Sequence, residues 1–477
     1  MDVSLFNTLG RKKEPLRPPV PGPVRLYTCG PTVYNYLHVG NYRTYVFEDV
    51  LKRTLKFAGF AVRHAMNITD VGHLTSQADE GEDKMEVGAA REGKTAWEIA
   101  RFYEAAFMED AAALDLDFHP GSAAPPNGAP GDVLCRATEH IAEQIELVRR
   151  IEAKGLTYRT SDGIYFDTAK FPGYGRLAGE SHVEGLKEGA RVQANPEKRS
   201  ATDFALWKFS PAGARRQMEW DSPWGRGFPG WHIECSAMAM RYLGESFDIH
   251  CGGVDHIPIH HANEIAQSEA ATGKPLARFW MHGEFLLMNK AKMAKSAGGF
   301  VRLKDLQERG YDALDFRYFC YGAHYRRQLD FSWEALDAAK TSRRRLKDAA
   351  AALKLKAGAA AQPAPAEALA AFSSALCDDL NVPEALAAVW ETSRREDFPA
   401  AARLAFLREA ERALALGLFK EAAVKSLSPE ALSLFERYKA ERSAKNYAAS
   451  DALRRELMDK HKVRVFEAKE GARWEPA

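Results

Sequence analysis

The run Val24-Arg25-Leu26-Tyr27-Thr28 is short and mostly apolar, which predicts a strand ending at the turn signal Cys29-Gly30-Pro31-Thr32. After His38-Val39-Gly40-Asn41 the apolar positions Val46, Phe47, Val50, Leu51 and Leu55 recur at helical spacing and predict a helix. A second strand is expected over 61–68, ending at Thr69-Asp70. Thr95-Ala96-Trp97-Glu98 has capping-box form and opens a helix reaching about Leu114. Strand, helix, strand, helix predicts an α/β fold with a parallel sheet and right-handed crossovers.

Further along, the pattern changes. Residues 11–23 are basic and then Pro-rich, an extended lead-in. Residues 121–131, GSAAPPNGAPG, read as a linker or surface loop. A helical stretch over 136–154 and a short strand from Gly163 to Asp167 interrupt the alternation and read as an insertion. Sheet-like elements resume near Asp203-Phe204-Ala205-Leu206-Trp207. A second linker, AGAAAQPAPA, spans 357–366, and beyond it the chain is Ala/Leu-rich and helical, closing in a short tail with Val463, Val465 and Phe466.

Composition narrows the class. The chain has 477 residues, enough for about three domains. Hydrophobic residues make up 46% and charged residues 27%, which excludes a disordered or collagenous chain. Lys+Arg 66 against Asp+Glu 65 leaves a formal charge of +1, so contact with a polyanion requires local basic patches. The six cysteines, at 29, 135, 235, 251, 320 and 377, include no C-x-x-C pair. Reduced or metal-bound thiols are expected instead of a disulfide scaffold. The N-terminus has no apolar signal region and no run is long enough to span a membrane, so the chain is expected to be soluble and cytoplasmic.

Three constellations carry candidate chemistry. His38-Val39-Gly40-Asn41 sits at a strand-to-helix turn, where free N–H groups and the helix dipole favour phosphate. Gly40 lets backbone approach a ligand, although an ordinary helix start with a surface histidine is the plainer reading. Lys292-Met293-Ala294-Lys295-Ser296, followed by Ala297-Gly298-Gly299, suits a loop closing over a polyphosphate, although a solvated basic loop is the plainer reading. Cys29, Cys235, His260 and Glu264 form a plausible zinc shell. In a helix, His260 and Glu264 share one face. Buried small cysteines and an amphipathic helix are the alternative, and His261, Cys251 and His250 are rival ligands.

The longest runs have a known counterpart. Tyr27-Thr28-Cys29-Gly30-Pro31-Thr32-Val33-Tyr34, Asn67-Ile68-Thr69-Asp70, Pro229-Gly230-Trp231-His232-Ile233-Glu234-Cys235-Ser236 and Asn263-Glu264-Ile265-Ala266-Gln267-Ser268 resemble the cysteinyl-tRNA synthetases, a class I aminoacyl-tRNA synthetase family. Trp280-Met281-His282 and His324-Tyr325-Arg326 follow in the family's order. The resemblance runs from about residue 15 to Trp474.

It implies a class I Rossmann-type parallel sheet with an insertion, followed by an all-α anticodon-binding domain. The implied parts are 15–120 and 201–290 for the two halves of the nucleotide-binding domain and 121–200 for the connective insertion. Residues 291–350 would hold the mobile loop and stem contacts, and 367–477 the anticodon-binding domain. Cys29, Cys235, His260 and Glu264 match the family's zinc ligands. His38, Gly40 and Asn41 match its HIGH-type motif, and Lys292 and Lys295 its KMSKS-type loop, all for ATP. Thr69 and Trp231, with Cys29, match the amino-acid pocket.

The implied activity is a cysteine--tRNA ligase that forms cysteinyl-adenylate and pyrophosphate from L-cysteine and ATP, then charges tRNA(Cys). It would use one Zn²⁺ and Mg²⁺ with ATP, acting as a monomer away from membranes. Arg326, Arg327, Arg343, Arg344, Arg345 and Lys347 form the densest basic stretch, expected along the inside of the tRNA. Tyr438, Tyr447, Phe466 and Trp474 are candidates for stacking on RNA bases. Departures from the family are Asn41 for a second histidine, Ala294 for a serine, Ala262 for an acidic residue, and an extra thiol at Cys251. A ligase joining cysteine to a small amine, and a non-catalytic zinc-dependent RNA-binding module, are the competing readings.

Overall fold

A computed structural model describes residues 1–19, 21–72, 84–121, 124–126, 128–179, 195–211, 216–288, 291–292, 300–420, 427–461, 463–468 and 471–476. The chain forms two compact units, Met1–Gln307 with Tyr311–Leu416, and Gly417–Ala477 with Glu308–Gly310.

The first unit is built on a five-stranded sheet, all parallel, ordered Ala277–Gly283, Phe247–Gly253, Val24–Thr28, Val62–Ile68 and Gly131–Arg136. The predicted first strand, first helix and second strand appear as Val24–Thr28, Val39–Phe57 and Val62–Ile68. Every residue of Val62–Ile68 and Phe247–Gly253 is buried, as expected of parallel strands covered on both faces. Strand order reverses at Val24–Thr28, because the next strand joins on one side and Phe247–Gly253 returns on the other. Ligands of open parallel sheets bind at the carboxyl ends of strands at such a point. Here those ends carry Cys29 and Gly253.

The segment after residue 121 differs from expectation. Gly131–Arg136, between the 121–131 linker and the helix expected from 136, is the sheet's edge strand, pairing residue for residue with Arg63–Ile68. The insertion strands Thr157–Arg159 and Gly163–Phe166 do not stand alone. They join Phe204–Phe209 and Gly227–Pro229 in a separate four-stranded antiparallel sheet. The supposed lead-in also folds, since Lys12–Pro15 pairs with Ser4–Asn7.

Polar knots fasten the elements. Arg317, fully buried, donates to Asp49 on the first helix and to the carbonyls of Leu114 and Leu414. Asp379 sits at φ 60°, and its carboxylate accepts from Phe6 N at 2.8 Å, Tyr325 Oη at 2.7 Å and Arg326 Nε at 2.8 Å. Arg343, expected to face RNA, is instead 5% exposed and pairs with Asp315 at 2.8 Å, whereas Arg344 and Arg345 are exposed.

The second unit holds helices Pro429–Ser443 and Tyr447–His461 and an antiparallel hairpin, Val463–Ala468 with Gly471–Pro476. The C-terminal tail is therefore sheet, with Val463 and Val465 in the core of this unit. Tyr438 is buried there, while Tyr447 and Phe466 are exposed.

One buried group opposes folding. Glu48 on the first helix is 1% exposed, and neither carboxyl oxygen has a hydrogen-bond partner among the described residues. Burial pushes its pKa well above the usual carboxyl range, so the folded chain holds this proton more tightly than the unfolded chain. Its contribution to stability therefore falls as pH rises from the ordinary carboxyl range towards neutrality. Glu48→Met is expected to stabilise the protein by about 1–3 kcal/mol near pH 7 and by less near about pH 4.5. Denaturant unfolding at the two pH values checks this, and an equal or absent gain would count against the buried, unpaired carboxyl.

Candidate active site

The turn after Val24–Thr28 has little freedom. A Cβ on Gly30 would lie 1.7 Å from the carbonyl oxygen of Asn67, so only glycine allows the turn to lie against the next strand. Gly30 N donates to Asn67 Oδ1 at 2.9 Å, and Cys29 N donates to Cys251 O at 3.1 Å. Cys29 is thereby fixed at the end of its strand, pointing into the core cluster that also holds Cys235. Cys235 comes from the helix Trp231–Leu243, and His260 and Glu264 from the first turns of His260–Thr272.

These four residues converge. One donor atom from each of Cys29, Cys235, His260 and Glu264 lies within 4.8 Å of the others, and all four are buried. A second set, Cys29, His250, His261 and Glu264, meets the same criterion, so two of the rival ligands remain beside the centre. His260 Nε2 lies 3.1 Å from Glu264 Oε1, while its Nδ1 is 3.0 Å from His232 Nδ1. His232 thus orients the ring so that Nε2 faces the cluster. His250 Nε2 holds Glu264 Oε2 at 3.0 Å. Cys29 Sγ is 3.3 Å from His261 Nε2, whose ring continues to His282 at 2.8 Å and from there to Thr8 at 2.8 Å.

The electrostatics are those of a cation site. Cys235 accepts a hydrogen bond from the Cys29 thiol, which outweighs burial and brings its pKa down to about 6. Burial pushes the Cys29 thiol up. Burial pulls His260 down, but the charges of Glu264 and Cys235 outweigh it and raise the imidazole to about 10. Burial likewise opposes ionisation of Glu264, yet His250 and His260 hold it well below the usual carboxylate range. The Cys235 thiolate and Glu264 carboxylate are buried side by side, and among the described residues the compensating charge beside them is imidazolium. Two sulfurs, one imidazole and one carboxylate fit a tetrahedral divalent metal of zinc type. Cys251 lies outside both sets; its thiol is buried and pushed up by burial.

An open cleft of about 690 Å³ runs from this cluster to the first helix, lined by Cys29, Trp231, Asp255, His256, His38 and Asn41 among others. His38 is the N-cap of Val39–Phe57. Asn41 N donates to His38 Nδ1 at 3.2 Å, and His38 N donates to Asn41 Oδ1 at 3.2 Å. Because Nδ1 accepts, the ring proton sits on Nε2, the donor a phosphate would meet. Gly40 also lines the cleft. The Trp231 ring lies 4.7 Å from that of His260. Thr69 stands one layer behind the wall: it is 2% exposed, with its N–H donating to Pro31 O at 3.0 Å. Lys292 is in a short strand, Ala291–Lys292, paired with Leu287–Met288. Lys295 lies outside the described residues. Just beyond it, the Phe300 ring packs edge-on to His38 at 5.7 Å, and Val39 N donates to Val301 O at 2.8 Å. The residues flanking the Lys295 segment are thus brought to the helix start.

His256 was not anticipated from the sequence, because it belongs to no recognised motif. His232 and His282 lie inside the runs that resemble the family and His250 is one of the rival ligands, but residue identity alone does not say which nitrogen faces which partner.

Comparison with known proteins agrees with this architecture. The model of the class I (C) tRNA synthetase catalytic domain matches residues 16–341, and the chain belongs to this family. It is 50% identical to Cysteine--tRNA ligase 1 of Burkholderia lata, over 99% of this chain and 97% of that one. It is 44% identical to the Cysteine--tRNA ligase of Treponema denticola, covering 96% of each. Methionyl-tRNA synthetase of Mycobacterium tuberculosis, solved with methionyl-adenylate, shares the fold at a TM-score of 0.55 and 18% identity, over 83% of this chain and 91% of that one.

Cys235→Ser exchanges a soft sulfur donor for a hydroxyl. It is expected to cut bound metal from about one equivalent to below roughly a tenth. Metal analysis of the purified variant checks this, and retention of a full equivalent would remove Cys235 from the ligand set.

Proposed function

We propose that this chain is a cysteine--tRNA ligase, activating L-cysteine with ATP and transferring it to the 3′ end of tRNA(Cys). The observation that carries the proposal is the convergence of Cys29, Cys235, His260 and Glu264 in one cluster, whose Cys29 lines the same cleft as the His38–Asn41 helix start. The full-length similarity to named cysteine--tRNA ligases supports it.

The amino-acid carboxylate attacks the α-phosphorus of ATP, forming the acyl–phosphate bond as the bond to pyrophosphate breaks. A terminal ribose hydroxyl of tRNA then attacks the acyl carbon and AMP leaves. No covalent bond to the protein is required. Nε2–H of His38 and the first N–H groups of the helix would hold phosphate oxygens, where negative charge grows in the transition state. Lys292 and Lys295 would add positive charge once ATP, bound with Mg²⁺, is in place. Trp231 would form one wall of the amino-acid pocket, with Thr69 supporting the turn behind it.

Zn²⁺ held by Cys29, Cys235, His260 and Glu264 would supply a soft acceptor that binds the substrate thiolate far better than the hydroxyl of serine. A cavity alone separates such near-isosteres poorly. Arg344 and Arg345 are proposed contacts to the tRNA stem, and the helices from Ala366 onward with the C-terminal hairpin to its anticodon end. The enzyme is proposed to act as a cytoplasmic monomer.

The purified chain is expected to catalyse cysteine-dependent ATP–pyrophosphate exchange and to charge tRNA(Cys). Exchange without charging would mark a cysteine ligase with another acceptor. Absence of both would overturn the proposal. His38→Ala is expected to slow exchange by about 10²–10³-fold through lost charge stabilisation, while Cys235→Ser loses exchange together with its metal.

A further inference from the structure

His256 lies in the short turn Val254–His256, directly after the strand Phe247–Gly253. Its ring rests on Gly252, where a Cβ would lie 2.6 Å from His256 Nδ1 and 2.8 Å from His261 Cε1. That crowding makes Gly252 the seat on which the ring is held. Ring centroids are 5.1 Å from His260 and 5.0 Å from His261, which puts His256 against the metal-ligating end of the cleft. Nδ1 is buried and has no hydrogen-bond partner among the described residues, while the residue lines the cleft.

These facts select a tautomer. A proton on Nδ1 would be sealed against Gly252 and forfeit a hydrogen bond outright. On Nε2 it faces the open side of the ring, where an incoming acceptor can take it. Resting on the proposed reaction, an amino acid whose sulfur is held at the Cys29–Cys235–His260–Glu264 cluster has its carboxylate only a β- and an α-carbon away. We propose that His256 is a further substrate-binding residue, its Nε2–H donating to that carboxylate. It thereby orients the attacking oxygen, a role separate from the thiol selectivity of the metal centre.

Cysteamine provides the test, since it keeps the thiol and the amine of cysteine but has no carboxylate. Zinc-loaded protein, wild type, His256→Leu and His256→Gln, is titrated calorimetrically with each compound, and bound zinc is measured on every sample. His256→Leu is expected to weaken cysteine binding about tenfold, as loss of a hydrogen bond to a charged group does. Cysteamine affinity and zinc content should stay within about twofold, and His256→Gln, which keeps a donor, should recover most of the loss. Equal weakening of both ligands, loss of zinc, no weakening of cysteine, or a Gln variant as weak as the Leu variant would each overturn the assignment. Binding is read without turnover. A failure of the proposed reaction, seen as absent exchange and charging, is therefore distinguishable from a failure of the His256 assignment.

Discussion

The floor of the cleft depends on one electrostatic constraint: sulfur and carboxylate groups that carry negative charge are buried side by side. Glu264 is fully buried, and the atoms that hold its charge are the imidazole nitrogens of His250 and His260, at 3.0 and 3.1 Å. Isolated charge in such a place costs several kcal/mol even after relaxation. The histidines reduce that cost, and a divalent cation bound there would reduce it further. This is why so many rings crowd one spot: His232 and His250 are bonded to His260 and Glu264 of the four-residue set, and His261 is tied through His282 to Thr8 outside it.

The constraint explains the surrounding architecture. Cys29 reaches the cluster because its strand is the point where sheet order reverses, and because Gly30 lets the following turn lie on Asn67. Cys235 and the His260–Glu264 pair arrive on helices that pack against each other beneath the same sheet. The start of the first helix, capped by His38, opens onto the same cleft. One parallel sheet thus places a cluster of soft and hard metal-binding donors and a helix start at the same cleft.

The strongly patterned segments were legible from their residues. The first strand, the first helix and the second strand follow from apolar spacing, and the Thr95 cap from its capping box. The edge strand Gly131–Arg136 was not legible. It follows a Pro/Gly-rich loop, and its residues read as strand only when paired with Arg63–Ile68. Residues 204–209 look like any buried strand in sequence, and only their antiparallel partners assign them to the second sheet. Arg343 sits in a basic run and was expected at the surface, but helix periodicity turns it inward onto Asp315 while its two neighbours face solvent.

By itself the sequence determined the α/β class, the donor types available for a metal and, through its long motifs, the family. Those are properties of residue identity and short-range spacing, which survive without coordinates. Tertiary structure alone decided that Cys29 and Cys235, far apart along the chain, share one cluster with His260 and Glu264. It also decided which imidazole nitrogen faces that cluster, that Glu48 is buried without a partner, and that His256 stands in the cleft. The reason is physical. Burial and hydrogen-bond partnership are set by which surfaces the packed sheet and helices bring together, and no local pattern encodes that meeting.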